Sequence, residues 1–177
     1  MSIRFQVTLV ATGLIIACGP SSEPSAVTDQ PEALVDHELW EPVGAEDDYF
    51  EDRPDLVDCP QSGYGVEDGF FEVTTDACDY GTFEQPVLIG ATRAEKIRLL
   101  FWHSPLSASE PAEAHVALGI NGQVLWEQYI SIPNDAIVYD ETISVLEDFE
   151  KGDSLHYHLH NHGNNSWRLG LIEKPVE

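Results

Sequence analysis

The run "AHVALGINGQVLWEQYISI", residues 114–132, decides the fold. Two stretches rich in Val, Ile, Leu and aromatics meet at Asn121-Gly122, the dipeptide that supplies positive φ at both centres of a two-residue hairpin turn. Strands are therefore expected at 114–121 and 123–132. The same texture continues on both sides, with strands expected near 70–75, 82–89, 95–103, 137–146, 154–161 and 166–173. "IRLLFWH", residues 97–103, is nearly continuous apolar, as in a central strand covered on both faces. "SPLSASEPAEA" at 104–114 is polar and proline-punctuated, so it reads as a surface loop, and "EKGD" at 150–153 reads as a turn. No long amphipathic helix and no internal repeat stands out. Seven or eight short strands in about 130 residues make one all-β domain, a single β-sandwich of jelly-roll type over residues 46–177.

The strand "SLHYHLHNHG" places His156, His158, His160 and His162 at every second position. Alternate strand side chains face opposite ways, so Leu155, Tyr157 and Leu159 form one face and the histidines the other. The Leu/Tyr face supplies a core, which sends the histidines to an exposed or groove-lining side. Imidazole is a ligand for zinc, copper and nickel, with ligand atoms within roughly 3 to 3.5 Å of each other around one ion. Residues two apart on a strand can converge on one ion; residues about 13 Å apart, four along the strand, cannot. His156/His158 or His158/His160 can thus pair, and further ligands must come from His103, from His115 or from a carboxylate.

An HxH on a strand resembles the cupin metal motif, with Gly152 ahead of His158 and His160. No glutamate follows at the expected spacing, so cupin metal and oxygenase chemistry is not carried over. A second use of this face is recognition. His158, His160 and His162, with Asn161, Asn164, Asn165 and Trp167, make a polar-aromatic cluster in which rings stack on sugars and amides bond to hydroxyls. Trp102, Trp126 and Tyr129 can join that surface, although core packing explains them equally.

The first residues, "MSIRFQVTLVATGLIIAC", carry one basic residue, Arg4, and an apolar run too short for a membrane span. Ile15-Ile16-Ala17-Cys18 resembles the lipobox of bacterial lipoproteins. That resemblance implies a signal peptide at 1–17, a mature chain starting at an acylated Cys18, and a lipid bilayer as its anchor. Gly19, in place of aspartate, implies the outer membrane. Residues 18–45, rich in Pro, Ser, Glu and Asp, are expected to be a flexible acidic tether in which "ALVDHELW" docks or forms a helical turn.

Lipidation of Cys18 leaves Cys59 and Cys78, which an oxidising compartment would join in a disulfide. A net charge of −24 repels nucleic acid and anionic headgroups and attracts cations. No GxSxG, HExxH or phosphate-loop motif is present. The sequence thus points to a non-catalytic binding module. Its leading partner is an envelope protein or a glycan, and metal capture is the alternative.

Overall fold

The computed structural model describes residues 30–176, and Cys18, the expected signal peptide and the start of the expected tether lie outside them. Strands follow in the order β1 (Glu32–Ala33), β2 (Glu41–Pro42), β3 (Tyr64–Glu67), β4 (Phe70–Thr74), β5 (Tyr80–Pro86) and β6 (Lys96–His103). Then come β7 (Ala112–Ile120), β8 (Gln123–Ile132), β9 (Ile137–Ser144), β10 (Ser154–His160) and β11 (Ser166–Lys174). One sheet has the order β3-β4-β11-β6-β9, with β1 beside β11; the other has the order β2-β5-β10-β7-β8. From β4 onward the chain alternates between sheets except at the β7–β8 hairpin, which is the jelly-roll path.

All eight expected strands are present. Asn121 and Gly122 have φ of 49° and 79°, as the hairpin demands. β1, β2 and β3 carry no pattern in the sequence because two to four residues are too short to show a period of two. β6 departs from expectation in another way. Ile97, Leu99, Phe101 and His103 are buried while Arg98, Leu100 and Trp102 are only half-buried, so one face meets the core and the other is partly wet. The strands covered on both faces are β5, β7 and β10.

One segment expected to be loose is part of the domain, and the acidic stretch that follows it packs across a sheet. In the presumed tether, Leu34 and Trp40 are buried in the core. β1 pairs with β11 and β2 with β5, so this segment bridges the two sheets at one edge. Between them Asp36 caps a single turn, and Trp40 Nε1 donates to His37 Nδ1 at 3.2 Å. Burying each such apolar side chain contributes about 2 kcal/mol, enough to hold the chain down. The domain therefore begins before residue 46, and the flexible tether does not extend to 45.

The second segment is the acidic lead-in, residues 44–58, which crosses the outer face of the second sheet as a strap. Val43 N bonds to Thr82 O at 2.8 Å at one end. At the other, Cys59 and Cys78 form the expected disulfide across a sequence separation of 19. Closing a loop of that size stabilises by about 3 kcal/mol through loop-closure entropy.

Candidate functional site

The strap explains why the histidine face is not open. Phe50 stacks on His158 with ring centroids 4.1 Å apart and planes 16° apart. Tyr49 meets the His156 ring edge-on, and its hydroxyl fills the space a Cβ would need at Gly119. His158 is 0% exposed and His156 is buried, contrary to the exposed row expected from strand parity. Parity itself holds. The error lay in the cover, which comes from outside the strand.

Register brings the remaining members together. On adjacent strands His160 lies directly opposite His115, and His158 lies one step along on the same face. Directly opposed side chains start about 5 Å apart and diagonal ones about 7 Å apart, so the three rings share one patch. Onto that patch the strap lowers Asp52. Its Oδ2 lies 2.9 Å from His115 Nδ1, 3.0 Å from His160 Nδ1 and 3.4 Å from His158 Nε2. Asp52 Oδ1 is buried without a partner. Burial alone would raise the Asp52 carboxyl, but the imidazoles of His158, His115 and His160 outweigh it and hold it far below the usual carboxylate range.

The rings are fixed from behind. Thr82 Oγ1 donates to Asp48 Oδ2 at 3.0 Å and lies 2.9 Å from His158 Nδ1. A hydroxyl has one proton and a carboxylate accepts only, so Nδ1 of His158 must be the donor to Thr82. In the neutral ring its other nitrogen, Nε2, presents a lone pair toward Asp52, and in the imidazolium it donates to Asp52. Asp48 is fully engaged by protein groups, accepting from Tyr80 Oη at 2.8 Å and from Arg53 Nη1 at 2.6 Å. His115 is flanked by Asp52 and, through Nε2, by Glu127 Oε2 at 3.2 Å, and Tyr129 stacks flat on it at 4.4 Å. Glu127, Tyr129 and a partly exposed His160 form the wet rim of the cluster.

Other residues singled out by sequence lie elsewhere. His103 belongs to the opposite sheet, buried against Trp167 with ring centroids 4.7 Å apart, and does not reach the cluster. Burial lowers its proton affinity, and its Nδ1 lies 2.8 Å from Ser104 O. His156 pairs with Glu84 at 3.5 Å rather than with Asp52. Trp167 is 0% exposed, which rules out stacking on a sugar from this site. Asn161 and Asn165 are buried and tie the loops around Thr75, so their amides are not displayed. His162 and Asn164 are exposed beside the strand end, with the His162 ring 4.7 Å from that of His160. Sequence reasoning missed Asp52. The only hint was an aromatic pair, Tyr49-Phe50, set among acids in "DDYFEDRPD" just ahead of Cys59.

No family model and no curated protein matches the chain. Among solved structures, one described as "CBM4 structure and function" is 18% identical over 83% of this chain and 95% of its own, with a TM-score of 0.47. The K3 adhesin domain of Lys-gingipain from Porphyromonas gingivalis is 11% identical over 81% of this chain and 97% of its own, at 0.44. TmCBM61 in complex with β-1,4-galactotriose is 10% identical over 80% of this chain and 96% of its own, at 0.38. Identities and scores this low leave function to be read from the residues themselves.

Proposed function

We infer that this chain is an exported, lipid-anchored binding module whose ligand is a divalent transition-metal ion, held by His115, His158, His160 and Asp52. The observation that carries this reading is the orientation of His158. Its Nδ1 proton is committed to Thr82, so its Nε2 lone pair and the Asp52 oxygen face each other at 3.4 Å. Two such groups repel unless a cation sits between them. A proton on Nε2 is opposed by burial, which pulls this imidazole below its ordinary proton affinity against the attraction of Asp52. A metal ion would take the Nε2 lone pair and the Asp52 oxygen together as ligands, which offsets the cost of its own desolvation.

The spacing agrees. Ligands at 2.0–2.1 Å around a tetrahedral ion stand about 3.3 Å apart, and the three nitrogens lie 2.9, 3.0 and 3.4 Å from Asp52 Oδ2. Asp52, His115 and His158 each offer a ligand atom within 4.8 Å of the others, and His160, which meets the group through Asp52, would turn inward to complete the set. Three imidazoles and one carboxylate without thiolate suit zinc, copper(II) or nickel(II). The acidic surface concentrates such cations near the rim. The disulfide fits an exported chain, and the acylated Cys18 would hold the module at the outer membrane.

Untagged protein purified from metal-replete cells and dialysed should carry about one ion per chain by elemental analysis. Protein that stays metal-free even after equimolar zinc and dialysis would remove the reading. Thr82→Val should weaken zinc binding by about 10- to 100-fold by freeing the His158 ring, without touching a ligand. Competition with a colorimetric chelator measures this directly.

A further inference from the structure

Three of the four ligands belong to the sheet, and the fourth does not. Asp52 sits in the strap, and the strap is held in an unusual way. Among the described residues, no backbone hydrogen bond ties 45–58 to either sheet; the strap's own are those of Asp47 and Asp48 to Gly44 O. It adheres through side chains alone. Asp48 anchors one end on Tyr80 and Thr82, and the disulfide fixes the other. Between these points the contacts include Tyr49 on His156, Phe50 on His158 and His115, Arg53 over the Tyr80 ring and Asp52 on the three imidazoles.

Charge works against closure. Residues 44–58 contain Glu46, Asp47, Asp48, Glu51, Asp52, Asp55 and Asp58 against the single Arg53, on a chain of net charge −24. Asp48 has protein donors that offset its burial. Asp52 has only the three imidazoles, and its Oδ1 is buried without a partner.

We propose that the bound ion is the fastener of this strap, so that metal affinity and the lifting of residues 49–58 are coupled. The inference rests on the metal reading above and adds a consequence to it. With the strap down, Phe50 and Tyr49 cover the imidazole face, and a competing ligand reaches the ion only from the rim of His160, Glu127 and Tyr129. With the strap up, Asp52 leaves the ion, three imidazoles remain, and the ion is open to an acceptor with stronger ligands. The module then behaves as a carrier that hands over its ion, and strap opening sets the rate.

Chymotrypsin tests this at Phe50, which is buried on the underside of the strap and is cut only when the strap lifts; fragment mass tells this cut from one at the exposed Leu56. Cleavage there separates the preceding chain from the disulfide-bonded remainder and is read on a denaturing gel. Zinc held at 100 times its dissociation constant should slow the cut about 100-fold relative to chelator-treated protein. An unrelated substrate controls for effects on the protease. Asp52→Asn should be cut at one rate with and without zinc. Protein shown by elemental analysis to hold zinc, yet cut equally fast in both conditions, overturns the fastening while leaving the metal site standing. Zinc protection that survives in Asp52→Asn overturns the role of Asp52. Failure to bind zinc at all counts instead against the metal reading.

Discussion

Asp52→Asn should lower the zinc affinity by roughly 100-fold or more while making the metal-free protein less heat-stable. In the metal-free protein the imidazoles hold the Asp52 carboxyl far below its usual range, so the ionised group contributes stability at neutral pH that the amide gives up. For zinc the same change removes an anionic ligand. A structural zinc site of four ligands binds with about 10–16 kcal/mol, so one ligand accounts for about 3 kcal/mol, or roughly 100-fold. If the cluster were only an ion-pair network, the substitution would cost charge-assisted bonds worth about 1.5–3 kcal/mol each and leave zinc binding unchanged. Thermal unfolding in the presence of chelator, and chelator competition for zinc, give the two numbers. A destabilised apo variant with unchanged zinc affinity would favour the ion-pair network.

Trp167→Ala should destabilise the domain by about 3–5 kcal/mol, the cost of emptying a large core side chain. Trp167 lies at 0% exposure on β11, packed against His103. A tryptophan displayed for ligand stacking would change stability by no more than about 0.5 kcal/mol when truncated. Urea unfolding followed by circular dichroism decides between them. Trp167→Phe keeps much of the volume and should lose clearly less. A Trp167→Ala protein as stable as the parent would return this residue to the surface.

The sandwich was legible because its signals are local. Asn121-Gly122 fixes a hairpin, turn residues separate the strands, and alternation in "SLHYHLH" sorts Tyr157 inward and His158 outward. What covers the outward face is not local. Asp52 is 63 residues from His115 and 106 from His158 in the chain, and it is one of 32 acids with nothing in its own neighbourhood to mark it. The docking of "ALVDHELW", with Leu34 and Trp40, was legible only as one option within an expected tether, for a related reason. Their segment is acidic and proline-bearing, so composition suggested a tether, while two large apolar side chains were enough to bind it to the edge of the sandwich. His103 misled in the opposite direction. It ends a strand, as His115 nearly begins one, but β6 belongs to the other sheet, and sheet membership is a property of topology.

Zinc K-edge absorption spectroscopy on zinc-loaded, untagged protein tests the metal centre most directly. It should show an ion bound by three imidazole nitrogens and one carboxylate oxygen at about 2.0–2.1 Å, with the imidazole signal reduced by one ring in His158→Ala. Zinc surrounded only by oxygen ligands, or a spectrum that His158→Ala leaves unchanged, would contradict it.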